Sequence, residues 1–179
     1  PLVMLLDGFL HFIKAESRGK NRGFTREHIF RILKTEIFPS FPTDTIDKLE
    51  NYVLKYHIRF STWQKPWAFR DYRSIDQEPA PLSDKEITKQ NTANTWREKV
   101  LSLLNPFLAG WKGALSAEDK CAFLYRWLTE QQIPETLSAW DELEFEKTKK
   151  RPHLQVWKKV LSLLDEIVHV TGKDILPEE

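Results

Sequence analysis

The sequence has little cysteine, glycine or histidine, and each shortage excludes a kind of site. Cys121 is the one cysteine among 179 residues, which excludes an internal disulfide and a cysteine-cluster metal site. The six glycines form no GxxxxGK[ST] or GxGxxG spacing that could cradle nucleotide phosphates. The five histidines, at positions 11, 28, 57, 153 and 169, include no i, i+3 or i, i+4 pair of helical metal ligands. We therefore expect no catalytic residue, metal site or cofactor in this chain.

Long apolar runs and a secretory leader are also missing. No run approaches the ~18 apolar residues of a membrane-spanning helix, and no basic leader with a small-residue cleavage site is present. A single cysteine suits a reducing compartment. These features predict a cytoplasmic protein without a membrane contact. The sequence opens at Pro1, inside an apolar periodic run and without an initiator Met, so we interpret it as a piece of a longer chain.

The composition that remains is that of a folded domain with an uneven charge. Hydrophobic residues make up 41% of the chain and there are seven Trp, enough for a buried core. Residues 1–75 carry 13 Lys and Arg against 8 Asp and Glu, whereas residues 76–179 carry 14 against 18. A basic first part suits an anionic partner, although a net charge of +1 is too low for an ordinary free-standing DNA-binding protein.

Helical periodicity dominates the sequence, and no segment alternates as a strand would. The pattern predicts an all-α fold of about seven helices, with Thr25 and Ser116 as N-caps, Pro134 and Pro152 at first helical positions, and Gly172 after the last helix. The polar turns Thr88–Thr95 are interpreted as solvated or frayed. We expect one irregular domain, or two packed subdomains at 1–75 and 76–179 joined by a long Trp- and Pro-containing connection over 57–82. The expected helices cover residues 2–15, 25–35, 44–56, 83–109, 116–131, 134–149 and 152–171.

Two basic segments are candidate nucleic-acid contacts. Residues 59–73 interleave cations with aromatic rings, and cations can neutralise phosphates while rings stack on unpaired bases. The alternative is that the rings fix the connection on the helices while the charged heads stay in water. The loop 18–22 is a second candidate for phosphate contact, and a merely solvated loop is its alternative. The candidate residues are Arg59, Trp63, Lys65, Trp67, Arg70 and Arg73 in the first segment, and Arg18, Lys20 and Arg22 in the second.

Specific residue runs resemble a known family. FRILKT at 30–35 is followed by LENYVLKYHIR at 49–59, then by Trp63 and the pair Pro66-Trp67. This order resembles the B subunit of the AddAB/RexAB type ATP-dependent helicase–deoxyribonuclease. WREKV at 96–100 and QVW at 155–157 are also similar, so the resemblance spans nearly the whole chain. The family often has Gly where this chain has His57 and Phe60, so the helix that ends at Tyr56 must be capped without glycine.

The resemblance implies a place and a role in a larger protein. The chain is similar to the helical, 2B-like insertion in the helicase-like region of the B subunit. This region is inactive as a motor. In the family, a nuclease domain with an iron–sulfur cluster lies elsewhere in the B subunit, and the A subunit supplies the ATP- and Mg-dependent motor with a second nuclease. The complex processes double-strand breaks for recombination. The implied partners are the remainder of the B subunit, the A subunit, and double-stranded DNA.

The implied role of this chain is non-catalytic, structural and DNA-guiding. No residue that reads a Chi-type sequence can be transferred to it by motif. Two alternatives stay open at this point: a protein-interaction domain that docks on the A subunit or on the rest of the B subunit without touching DNA, and an independent helical enzyme.

Overall fold

The structure is a computed structural model that describes residues 1–69 and 82–171, except for the side chains at 144 and 146–148. These residues form seven α-helices and one short 3₁₀ helix. No strand occurs within these ranges, so the predicted all-α fold of seven helices is confirmed. The 3₁₀ helix covers Phe60–Gln64. The helices are α1 Leu2–Ser17, α2 Arg26–Leu33, α3 Thr43–Lys55, α4 Asp84–Gly113, α5 Ala117–Glu130, α6 Ile133–Thr148 and α7 Pro152–Thr171.

Helix starts follow the local sequence closely. The Thr25 side chain accepts a hydrogen bond from the His28 N–H at 3.3 Å, which confirms the predicted N-cap of α2. Ser116 and Asp119 form the predicted capping box of α5, and the bonds that the Asp119 carboxylate accepts from Ser116 lower its pKa. Pro134 lies one residue further into α6 than predicted because the helix begins at Ile133. Gly172 lies outside the described residues.

The fourth helix is longer than its sequence suggests. We expected it to end at Ala109, yet α4 continues through Gly110 to Gly113 and contains Pro106. A Cβ at position 110 would lie 2.1 Å from the Phe123 ring of α5. Glycine therefore serves here as a point of close approach between two helices rather than as a helix end.

One hydrophobic core links the two parts of the described chain. The Phe9 ring of α1 lies 4.1 Å from Phe107 of α4 and 4.9 Å from Trp127 of α5, measured between ring centroids. The first helix also contacts α7 near the end of the chain. The division into subdomains at 75/76 falls outside the described residues and stays a prediction.

A buried carboxylate fixes the start of the last helix. Asp141 of α6 is buried, and its two oxygens accept hydrogen bonds from the N–H groups of His153 at 3.0 Å and Leu154 at 2.8 Å. These amides belong to the first turn of α7, which has no partner within its own helix for them. The negative charge also lies at the positive end of the helix dipole. Asp141 thus joins α6 to α7.

Polar side chains of α4 hold the connection after α3 against the core. Arg97 is only 4% exposed and donates a hydrogen bond from Nη1 to the Trp63 carbonyl at 3.0 Å. Asn94 both accepts from the Trp67 N–H and donates to the Trp67 carbonyl, each at 2.8 Å. Gln90 donates to the same carbonyl at 2.5 Å. The interpretation of Thr88–Thr95 as solvated or frayed is therefore wrong at positions 90 and 94.

The third helix ends without glycine. His57 has a left-handed φ of 49°, its N–H donates to the Leu54 carbonyl at 3.2 Å, and the Ile58 N–H donates to the Val53 carbonyl at 3.0 Å. These are the two bonds of a Schellman motif, whose left-handed residue is usually glycine. Phe60 has a φ of 55°. The glycine-free cap expected after Tyr56 is thus confirmed, with His57 in the strained position.

Removing Arg97 tests the hydrogen bonds that hold the connection. We expect Arg97→Ala to lower the free energy of unfolding by about 2–4 kcal/mol, because it unpairs the buried Trp63 carbonyl and leaves a cavity. Arg126→Ala is the matched control, since Arg126 is exposed on α5, and it should change stability by less than about 0.5 kcal/mol. Urea unfolding of both variants measures the difference; equal effects would contradict the assignment.

Relief of backbone strain at His57 gives a second stability test. We expect His57→Gly to raise the free energy of unfolding by about 1 kcal/mol, because glycine adopts a left-handed conformation without steric cost. Lys158→Gly, in the middle of α7, should lower it by about 1 kcal/mol. A destabilised His57→Gly chain in the same urea titration would show that His57 contributes more through its side chain than it loses through strain.

Candidate nucleic-acid interface

The basic loop after α1 is held in place by a buried carboxylate. Glu16, in the last turn of α1, is 4% exposed, and its oxygens accept hydrogen bonds from the N–H groups of Asn21 at 3.1 Å and Gly23 at 2.8 Å. A Cβ at position 23 would lie 2.7 Å from the Phe12 ring, so glycine is required for the loop to pack this closely on α1. The fold itself therefore holds the basic loop in one conformation.

The cations of this loop point outward. Arg18, Lys20 and Arg22 are all at least partly exposed, while the backbone between them is turned inward onto Glu16. Loops held by such bonds lose little further conformational entropy when they bind a partner. The loop thus offers three positive charges on an ordered backbone.

A backbone hydrogen bond joins the basic loop to the connection after α3. The Phe60 N–H donates to the Phe24 carbonyl at 2.6 Å. The guanidinium carbon of Arg22 then lies 5.0 Å from the centroid of the Phe60 ring, and that of Arg59 lies 5.6 Å from it. Both contacts are within cation–π range. We call Arg22, Arg59 and Phe60 the Phe60 cluster; it unites residues from both segments that the sequence identified.

The candidate cations differ from their neighbours on α2 and α3 in their ion pairing. Arg26 pairs with Glu50 at 2.9 Å, and Lys34 lies 3.2 Å from Asp47 and also contacts Glu50. The hydrogen bonds that the Lys34 ammonium donates to Glu50 and Asp47 raise its pKa. Within residues 1–69 and 82–171, no ion pair with a carboxylate involves the candidate residues Arg18, Lys20, Arg22, Arg59 and Lys65. Their charge is available to an external anion.

The two tryptophans predicted to stack on bases lie in the core. Trp63 is 0% exposed and Trp67 is 1% exposed, and the two rings pack edge to face at 5.0 Å between centroids. A base cannot reach either ring while the chain keeps this fold, so the structure corrects that part of the prediction. The alternative interpretation, in which the rings fix the connection on the helices, describes both residues.

The remaining candidates fall into two groups. Lys65 is exposed directly after the 3₁₀ helix, on the same connection as the Phe60 cluster. Arg70 and Arg73 lie outside the described residues, so their assignment stays a prediction.

The described part of the chain was searched for clusters of metal ligands and for a reactive cysteine. No three His, Cys, Asp or Glu side chains there come together as a metal site. Cys121 is buried in α5, and this burial, with a smaller effect of the Asp165 charge, raises the pKa of its thiol. A protonated thiol is a poor nucleophile. No helix among the described residues is long and apolar enough to cross a membrane.

Glu16 and Phe60 are residues of the candidate interface that the sequence did not single out. Glu16 orders the basic loop and Phe60 gathers the two arginines, yet neither residue is a cation or follows a known motif. Phe60 lies within the segment 59–73, and the glycine that the family often has at its position indicates an unusual backbone conformation rather than a role for the ring.

The role of Glu16 can be tested by removing its carboxylate. We expect Glu16→Ala to lower the free energy of unfolding by about 2 kcal/mol, because the buried N–H of Gly23 and the partly buried N–H of Asn21 lose their acceptor. Amide hydrogen exchange at Asn21 and Gly23 should accelerate. Glu130→Ala, which removes an exposed carboxylate from α5, is the control. If the exchange of Asn21 and Gly23 were unchanged in Glu16→Ala, Glu16 would not be the group that orders the loop.

Comparison with known proteins finds relatives that share the same name. The chain is 32% identical over 187 residues to the B subunit of the ATP-dependent helicase/deoxyribonuclease of Anoxybacillus flavithermus, covering 98% of this chain and 16% of that protein. It is 35% identical over 164 residues to the protein of that name from Geobacillus kaustophilus, covering 84% and 14%. The corresponding protein of Heliobacterium modesticaldum is 32% identical over 179 residues, covering 97% and 14%.

The matched region is a small part of each relative. The chain spans between one seventh and one sixth of the length of these proteins, and no family model matches it. The similarity nevertheless covers most of the chain, as the resemblance in the residue runs implied. The chain belongs, as a segment, to the family of ATP-dependent helicase/deoxyribonuclease B subunits.

Proposed function

We propose that this chain is a non-catalytic, 2B-like helical domain of the helicase-like region of a helicase–deoxyribonuclease B subunit, and that it guides double-stranded DNA. The observation that carries the proposal is the Phe60 cluster, which gathers Arg22 and Arg59 from two distant segments around one ring. The relatives are named for a helicase and deoxyribonuclease, activities whose substrate is DNA. Phosphates are therefore the anions that these cations would meet.

Preorganisation supports a role for this surface in positioning DNA. Arg22 sits on a loop held by Glu16, and Arg59 directly precedes a 3₁₀ helix whose Trp63 is buried. Arginines fixed in this way can contact phosphates without first becoming ordered. Phosphate contacts determine where a duplex lies but carry no sequence information. Such a surface supports a role in guiding the duplex rather than in reading its base sequence.

The non-catalytic part of the proposal rests on the residues present. The sequence has no nucleotide-binding glycine motif, and the thiol of Cys121 is buried and has a raised pKa. In this proposal ATP hydrolysis, strand cleavage and the iron–sulfur cluster belong to other parts of the complex, and this chain holds no cofactor. Its partners are the remainder of the B subunit, the A subunit, and double-stranded DNA, in the cytoplasm.

A protein-docking role is the second candidate, and α7 supplies the observation that favours it. Four apolar side chains along α7 are exposed: Val156 at 38%, Leu163 and Ile167 at 44%, and Val170 at 81%. Their spacing places them on one face of the helix. Such an exposed apolar face is typical of a protein contact. In this alternative the chain docks on the A subunit through α7 and makes no DNA contact.

Salt-dependent binding of duplex DNA tests the proposed function. Fluorescence anisotropy of a labelled duplex of about 20 base pairs should show weak binding to the 179-residue chain that falls steeply with salt. The double variant Arg22→Ala/Arg59→Ala should flatten the slope of log K against log salt by about 0.9 for each phosphate that it no longer neutralises. Lys158→Ala/Lys159→Ala, which removes two exposed charges from α7, should leave the slope almost unchanged.

Three results would contradict the proposal. Equal effects of the two double variants would assign binding to net charge rather than to the Phe60 cluster. Salt-independent binding would remove the phosphate contact. No binding at about 50 mM salt, where phosphate contacts are strong, would favour the docking alternative through α7.

A further inference from the structure

The exposed side of α7 carries a short apolar stripe with a regular spacing. Val156, Leu163 and Val170 recur every seven residues, and Ile167 lies four residues after Leu163. Residues at these intervals share one side of a helix, so the side chains form a continuous row. From Val156 to Val170 the row is about 21 Å long, at about 1.5 Å of rise per residue. We call Val156, Leu163, Ile167 and Val170 the α7 stripe.

Two opposite charges lie along one edge of the α7 stripe. Lys159 and Glu166 are both exposed, and each lies four residues before a member of the stripe, Leu163 or Val170. Glu166 accepts a hydrogen bond from the Ser162 hydroxyl at 3.4 Å. Among the residues that the structure describes, neither Lys159 nor Glu166 forms an ion pair. The stripe therefore has one positive end and one negative end.

This order of charges makes the face complementary to itself. When two copies of a helix meet antiparallel about a twofold axis, every contact between them occurs twice. Lys159 of each copy then meets Glu166 of the other copy, and Leu163 lies beside the axis. The same register brings Val156 close to Ile167 of the second copy. A parallel pair in register would instead place Lys159 level with the second copy's own Lys159, and it would also align the two helix dipoles unfavourably.

We propose that the α7 stripe binds the α7 stripe of a second copy of this chain, in an antiparallel dimer with twofold symmetry. A second copy is the occupant because one register matches both the apolar row and the two charges. The A subunit is the competing occupant of the same face. The proposal does not rest on the DNA contact at the Phe60 cluster. A pair of helices of this length is smaller than a standard protein interface, so the dimer is weak and forms at high concentration.

Sedimentation equilibrium of the 179-residue chain at low salt tests the pairing. From about 10 μM to about 500 μM, the range of weak complexes, we expect a reversible equilibrium between monomer and dimer. Lys159→Glu should weaken the dimer about tenfold, because two attractive contacts become repulsive. Lys158→Glu makes the same change of charge at the next residue, which points away from the stripe. This control should leave the dimer unchanged.

A mixture of two variants tests the antiparallel orientation. Lys159→Glu and Glu166→Lys each place like charges opposite each other when either variant pairs with itself. In a mixed antiparallel pair, one copy carries two glutamates and the other carries two lysines, so both contacts are attractive. We expect the mixture to dimerise about tenfold more tightly than either variant alone. The double variant Lys159→Glu/Glu166→Lys keeps the net charge and should restore the original strength.

Charge exchange away from the stripe provides the matched control for the mixture. Lys158→Glu and Asp165→Lys make the same changes of charge at exposed positions of α7, off the stripe. Mixing these two variants should not strengthen the dimer as the first mixture does. Equal strengthening in both mixtures would overturn the proposal, because net charge rather than the register would then bring the copies together.

The apolar contact is tested at the centre of the stripe. Leu163→Glu places two like charges beside the twofold axis and should abolish the dimer up to the highest concentration. An unchanged circular dichroism spectrum shows that the variant is folded, since Leu163 is 44% exposed in the chain. A dimer that tolerates both Leu163→Glu and Lys159→Glu would overturn the proposal.

The outcomes are separate from those of the DNA experiment. An original chain that stays monomeric at about 500 μM would overturn the dimer, and protection of α7 by the purified A subunit would then assign the face to the docking alternative. Neither result bears on duplex binding, which the variant Arg22→Ala/Arg59→Ala tests on its own. Conversely, a chain that dimerises through α7 but binds no duplex would support this proposal and contradict the DNA-guiding function.

Discussion

The hydrogen bonds from α4 to the backbone of residues 63–67 are the constraint on which the arrangement of the basic residues depends. Arg97 binds the Trp63 carbonyl, and Asn94 binds both backbone groups of Trp67. These bonds satisfy the Trp63 carbonyl and both backbone polar groups of Trp67, which lie next to the two buried indoles. The 3₁₀ helix that contains Trp63 begins at Phe60, so its position fixes Phe60 beside Phe24. The two arginines of the Phe60 cluster meet there because the connection is anchored shortly afterwards, at Trp63.

The fold was largely predictable because its determinants are local. Helical spacing indicated all seven helices, and Thr25 and Ser116 cap the helices as their sequence neighbourhoods predict. The bonds from α4 to the connection were not predictable, because Asn94 and Trp67 are 27 residues apart and a polar helical face is ordinarily solvated. The candidate site was likewise predictable only where its features are local. Alternating cations and rings look alike whether the rings face a base or the core, and only tertiary packing decides that Trp63 and Trp67 face inward.

The cations of the Phe60 cluster and the exposed apolar side chains of α7 belong to different elements of the described chain. Cations of α2 and its C-cap, such as Arg26 and Lys34, are neutralised by carboxylates within the fold. Arg22 and Arg59, in contrast, contact the Phe60 ring and form no ion pair with a described carboxylate. The apolar residues of α7 form a separate exposed face. In the function proposed above, the cationic surface contacts DNA and the apolar face contacts other parts of the complex.

In the proposed function, DNA lies across the two basic segments joined at Phe60. Amide hydrogen exchange of the chain at low salt, with and without a duplex of about 20 base pairs, tests it most directly because it maps the contact by residue. A DNA contact at the Phe60 cluster predicts slower exchange with DNA over residues 17–24 and 57–65 and no change along α7. Unchanged exchange in both basic segments, or slowing confined to α7, would contradict it.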